Sequence, residues 1–252
     1  GGYALHSQIA IQTIPGDHGR LTAEQIERAI KPTADWLPRS RLVVLENTCN
    51  AAGGSFYTLD RVAPIRALCQ QRGLRLHLDG ARLFNALVES GETPIAWGSQ
   101  FDSLSICLSK GLGTPAGSLL IGSKEFIASA RRWRKAFGGG MRQIGLLCAA
   151  GLYALEHNVE RLRIDHAHAR QLSEVLTGLP CVAAMRPVHT NIVIFDLAGD
   201  WTAAAFLELL KSRGIRASAF GPRTVRFVTH LDVSAEMVAQ VCGILQTLPA
   251  HP

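Results

Sequence analysis

Residues 74–82 read LRLHLDGAR. The run is an apolar β-strand that stops at an acid, Asp79, and breaks at a glycine, Gly80. A carboxylate at the C-terminal end of such a strand faces the crevice in which open α/β sheets bind their ligands. Thirty-one residues further on, a second run, FDSLSICLSK (101–110), ends on Lys110 and passes directly into GLGT. An acid and an amine are therefore expected at the tips of two strands, converging on one ligand.

Working outward from this pair, strands alternate with helices. LTAEQIERAIKP (21–32) carries a threonine cap and ends on proline, and TLDRVAPIRALCQQRG (58–73) is a helix closed by Gly73. RLVVLENT (41–48) and GSLLIGS (117–123) read as strands, RLFNALVESG (82–91) and KEFIASARRWRKAFG (124–138) as helices. This alternation predicts a mostly parallel sheet with helical layers. A long helical pattern from Met141 to about Leu179 follows, then a β, α, β, α series. The expected organisation is a large domain over 1–145, a bridging helix over 146–180 and a small C-terminal α/β domain over 181–252.

Composition bounds the function. The chain has 252 residues, 47% hydrophobic and 18% charged, with a formal charge of +6. That is the make-up of a globular protein able to attract anions. The basic stretch RRWRKAF (131–137) is short and lacks the other parts of a nucleic-acid motif, so no nucleic-acid partner is expected. No stretch of eighteen apolar residues marks a membrane span. Six scattered cysteines without C-x-x-C spacing read as reduced core thiols of a cytoplasmic protein. His77, His157, His166 and His168 read as packed core residues. The HAH pair (166–168) would set its rings about 200° apart on a helix, so no metal site is expected.

A lysine beside a glycine turn and an acid on a neighbouring strand suit pyridoxal 5′-phosphate. Its aldehyde needs an amine and its pyridine nitrogen needs an acid to stay protonated. Ser109 and Thr114 could offer hydroxyls to an anion. The stretches ENTCNAAGG, LHLDGARLFNA, SICLSKGLGTPAGSLLIG, RWRKAFGGGMRQIG, GLYALEHNVERL and VRFVTHLDVS together resemble the low-specificity L-threonine aldolases, within the threonine aldolase and aromatic amino acid β-eliminating lyase group. The resemblance runs in order along nearly the whole chain.

That resemblance implies the fold-type I architecture of pyridoxal-phosphate-dependent transferases, with helices on both faces of the sheet. It implies retro-aldol cleavage of L-threonine, L-allo-threonine and related β-hydroxy-α-amino acids to glycine and an aldehyde. Lys110 matches the family lysine that forms the Schiff base, Asp79 the acid at the pyridine nitrogen, and Arg82 an arginine near the ring oxygen. Arg226 matches the arginine that grips the substrate carboxylate, and its planar fork suits that task. Arg142 matches a residue that reaches a neighbouring subunit's cofactor phosphate, and the family suggests a homotetramer. Cys49 stands where the family has a histidine (ENTCN against ENTHN), and a thiol is a weaker donor that cannot become a cation. The family segment upstream of the opening GG, with its phosphate cradle and ring-stacking histidine, has no counterpart here, so the chain is expected to be N-terminally shortened, with weaker cofactor anchoring. Two other outcomes stay open: a β-eliminating lyase of the same fold, and an inactive remnant.

Overall fold

The computed structural model describes residues 2–252. In chain order its elements are α1 (Gly2–Ser7), α2 (Ala23–Ala29), β1 (Leu42–Glu46), α3 (Leu59–Gln71), β2 (Arg75–Gly80), α4 (Leu83–Ser90) and α5 (Pro94–Gly98). Then come β3 (Ser103–Cys107), β4 (Ser118–Gly122), α6 (Lys124–Ala136), α7 (Gly145–His157), α8 (Leu162–Thr177), β5 (Val182–Met185), β6 (Ile192–Leu197), α9 (Ala203–Ser212), β7 (Ser218–Ala219), β8 (Thr224–Val228) and α10 (Ala235–Leu245).

The first sheet has the order β1-β2-β3-β4, its first two pairings parallel and the last antiparallel. Parallel neighbours require crossovers, and α3 supplies the one between β1 and β2. Alternation decides the faces. Leu45, Leu76, Leu78, Leu104 and Ile106 are buried in one core with Ile65 of α3 and Leu83 of α4. Each such leucine contributes about 1.5–3 kcal/mol relative to an exposed one. The opposite face carries Val44, His77, Asp79 and Ser105 and is open: Val44 of β1 is 53% exposed and Leu120 of β4 is 44% exposed. Helical cover among the described residues is thus dense on one face of the mostly parallel sheet.

The second sheet, β5-β6-β8-β7, is antiparallel throughout. Its core joins Phe195, Phe206, Phe227 and Trp201 with Leu172 and Leu176 of α8. The strands β5 and β7 were not foreseen. β5 has exposed or half-buried residues and β7 spans two residues, so neither carries an apolar run.

The single helical run expected from Met141 to about Leu179 is two helices. α7 ends at His157 and is capped by Asn158, whose side-chain Nδ2 donates to the Leu112 carbonyl at 2.8 Å, and the chain turns before α8 starts. Helical periodicity on both sides of the turn hid the break. The capping box of α2 pairs Thr22 with Gln25, not with a glutamate. Of the cysteines, Cys49, Cys69, Cys181 and Cys242 are buried as expected, but Cys107 is half-buried and Cys148 exposed. His166 and His168 are buried. His77 is half-buried, and His157 is a surface residue packed on Tyr153 at a ring separation of 4.5 Å.

Candidate active site

Registered residues of adjacent parallel strands share a face, so Glu46, Asp79 and Ser105 stand in a row across the C-terminal ends of β1, β2 and β3. Asp79 is exposed on the open face, and its Oδ1 accepts the Ala81 amide at 3.1 Å, which fixes the turn into α4. Gly80 is demanded there by packing: a Cβ would lie 2.7 Å from the Ser105 carbonyl oxygen.

Lys110 is not on the strand. β3 ends at Cys107, and Lys110 lies three residues on, exposed, in a loop braced from within. The Gly113 amide donates to the Lys110 carbonyl at 2.9 Å and the Thr114 amide to the Leu108 carbonyl at 3.1 Å. Gly113, at φ +77°, supplies the left-handed turn. Lys110 opens on a cleft of about 480 Å³ also lined by Arg82, Ser109, Asn191, His230 and Asp232. Of the two hydroxyls offered to an anion, Ser109 is exposed at this cleft. Thr114 is buried and its hydroxyl already donates to the Ala116 carbonyl at 3.0 Å, so it is not free for that role.

Arg82 connects the cleft to the acid. It occupies the N-cap position of α4, and burial, then the neighbouring Arg226, push its pKa down, while Glu46, Cys107 and Asp79 push it back. Its Nη1 donates to Asn50 Oδ1 at 3.3 Å, and Arg226 Nη1 donates to the same oxygen at 2.9 Å. One amide oxygen therefore holds two guanidinium groups, one from the N-cap of α4 and one from β8 of the second sheet. Asn50 is itself fixed, its backbone amide donating to Glu46 Oε1 at 3.1 Å. Arg226 lies 4.9 Å over the Phe220 ring, and its Nε is buried with no partner. A buried donor without an acceptor is costly, and an anionic ligand is one way to satisfy it.

Cys49 sits behind this row. It is 7% exposed and lies directly beneath Gly19, where a Cβ would come within 2.1 Å of its Sγ. Burial and the adjacent Glu46 push its thiol pKa up, so it stays protonated at neutral pH. Arg142 is in the turn between α6 and α7, exposed and, among the described residues, without an ion pair. The structure thus brings Asp79, Arg82 and Arg226 into one neighbourhood, with Lys110 on the cleft that Arg82 also lines, and leaves Arg142 apart. Sequence reasoning passed over Glu46 and Asn50. Both stand in the ENTCN stretch, but a side chain that bridges two sheets 176 positions apart leaves no local signal. Asn191 and His230, on the cleft, were equally silent. Among the described residues no cluster of metal-ligating side chains occurs.

The β-eliminating lyase family matches residues 1–200. The low-specificity L-threonine aldolase of Escherichia coli K12 is 42% identical over 244 residues, which is 96% of this chain and 71% of that protein. Low-specificity L-threonine aldolase 1 of Arabidopsis thaliana is 35% identical over 252 residues, 98% of this chain and 70% of its own length. Among solved structures, the threonine aldolase of Leishmania major superposes with a TM-score of 0.75 at 20% identity, covering 98% of this chain and 74% of that one. The histidinol-phosphate aminotransferase of Clostridium acetobutylicum gives 0.64 at 14% identity, covering 92% and 70%, so the fold is shared beyond one reaction. The chain belongs to the β-eliminating lyase family, among the low-specificity L-threonine aldolases.

Proposed function

We propose that this protein cleaves L-threonine, L-allo-threonine and related β-hydroxy-α-amino acids to glycine and an aldehyde, with pyridoxal 5′-phosphate as cofactor. The observation that carries the reading is the shared grip of Asn50 on Arg82 and Arg226, beside Asp79 and at the edge of the Lys110 cleft. The donor set fits the cofactor: an amine for its aldehyde, a carboxylate for its pyridine nitrogen, a guanidinium for its ring oxygen. The orphaned Arg226 Nε adds a place for the substrate carboxylate. When bound, the cofactor supplies an electron sink for the pair left at Cα as the Cα–Cβ bond breaks.

The residues of the chain do the rest. Lys110 would hold the cofactor through its amine. Asp79 would keep the pyridine nitrogen protonated, since a carboxylate nearby favours the charged ring. Arg82 would donate to the ring oxygen. Arg226, held at Nη1 by Asn50, has its remaining donors for the substrate carboxylate and would so orient the amino acid at the cofactor. Cys49, buried and protonated, does not serve as the base for the β-hydroxyl. Arg142 would reach the cofactor phosphate of a neighbouring subunit, a role that needs a homo-oligomer. The large exposed side chains of α6 and α7, among them Trp133, Leu146, Leu152 and Tyr153, support such an assembly. Cytoplasmic residence is supported by the buried free thiols. No helix among the described residues is long and apolar enough to cross a membrane.

The test is product identity. Incubated with L-threonine and the cofactor, the protein releases acetaldehyde, read by coupled reduction with an alcohol dehydrogenase, and Lys110→Ala abolishes it. Keto acid and ammonia without aldehyde would make the protein a β-eliminating lyase instead, and no product at all would make it a remnant.

A further inference from the structure

Behind the Lys110 loop lies a buried polar chain that the proposed reaction does not use. His166 of α8 is fully buried, yet both of its ring nitrogens are engaged by α4: Nδ1 lies 2.5 Å from Glu89 Oε1, and Nε2 lies 2.9 Å from Asn85 Nδ2. Arg170 adds a contact to the same Glu89 oxygen at 3.3 Å. The partners fix the proton. A carboxylate only accepts, so Nδ1 carries the hydrogen; Nε2 then has a lone pair and accepts from the Asn85 amide nitrogen. Burial pushes His166 down in pKa, in keeping with the neutral ring this requires.

The consequence falls on Lys110. Asn85, held by His166 at its Nδ2, lays its amide against Gly111, with Oδ1 3.6 Å and Nδ2 3.9 Å from the position a Cβ would take. The fully buried Leu162 meets the same position, its Cδ2 2.7 Å from where a Cβ would lie. Gly111 therefore rests on a floor made by Leu162 and by the Asn85 amide that His166 holds, while Asn158 holds the next residue, Leu112, by its carbonyl. We propose that His166 is a positioning residue: through Asn85 it sets the floor under Gly111 and so the height and direction of the Lys110 amine. This rests on the assignment of Lys110 as the cofactor lysine, but the orientation of the loop is a property of the chain itself.

Two variants separate hydrogen-bond polarity from packing. Glutamine at 166 can donate from Nε2 to Glu89 and accept at Oε1 from Asn85, which repeats the native pattern; phenylalanine fills the space and offers neither. With His166→Phe, amide hydrogen exchange in the 108–114 segment accelerates about tenfold while exchange in β6 is unchanged, and kcat for threonine cleavage falls about tenfold with KM within threefold. His166→Gln restores both. Native exchange in the 108–114 segment of folded His166→Phe, or a glutamine variant as impaired as the phenylalanine one, overturns the proposal. Should His166→Phe not fold, Asn85→Ala, which keeps the Glu89–His166 pair, must show the same local acceleration or the proposal fails. If the unaltered protein makes no aldehyde, the catalytic reading falls while the exchange comparison still decides the role of His166.

Discussion

Asn50 is a neutral side chain asked to hold two cations. Its amide oxygen accepts from both Arg82 and Arg226, and Arg226 already lowers the pKa of Arg82, so the two repel. Removing the acceptor leaves two half-buried guanidinium groups facing one another. Hydrogen bonds to charged groups are worth about 1.5–3 kcal/mol, so Asn50→Ala should raise KM for threonine about tenfold or more, with a smaller change in kcat; steady-state kinetics check this. His166 and Glu89 carry a pH dependence of stability. Burial lowers His166 below its ordinary 6.5. For Glu89 burial pushes upward, but His166 and Arg170 outweigh it and the net shift is below the ordinary 4.5. The groups facing the imidazole are Glu89, Asp165, Arg170 and the uncharged Asn85. Both depressed groups contribute stability that is whole above their ordinary values and is lost as pH falls. Urea midpoints should therefore drop below pH 6.5 and again below 4.5, and His166→Gln should shrink the first step, to which His77 and His189, also pushed down by burial, contribute.

At the scale of elements, β2 was the most legible part of the chain, because alternation of leucines with polar residues is local and the core it fills is real. The structure places Asp79, at the end of that strand, exposed on the open face. Lys110 was read as the end of a strand, whereas it belongs to the loop after β3: the apolar pattern at 106 and 108 continues past the strand's end at Cys107, and the last bond, from the Leu108 amide to the Gly117 carbonyl at 3.0 Å, precedes the turn. The break between α7 and α8 is decided by a contact of Asn158 with Leu112, 46 residues away, which periodicity does not register. The site residues found by motif were those with strong chemistry of their own; Asn50 and Glu46, which arrange the others, were missed for want of it. Gly80 gives a test at this scale. A methyl group there meets the Ser105 carbonyl of the next strand, and backbone does not yield as a side chain does. Gly80→Ala should push β2 from β3 between Asp79 and Arg82, costing about 1–3 kcal/mol and ~5 °C in melting temperature, with cofactor affinity reduced as measured by absorbance titration.

Over the whole molecule, two sheets with separate cores meet through few but directed contacts. Besides Arg226 on Asn50, Arg186 donates to the Ala51 carbonyl at 2.6 Å and Thr190 to the Gly54 carbonyl at 3.0 Å. All three reach from the antiparallel unit to residues 50–54, the loop that follows β1. α8 adds apolar continuity, with Leu162 in the small cluster beside the Lys110 loop and Leu172 in the antiparallel core. Neither sheet can melt without stripping the other of its fastenings. Scanning calorimetry should accordingly record one transition, its calorimetric and van't Hoff enthalpies equal, and two resolved peaks would show the clasp at 50–54 to be mechanically idle.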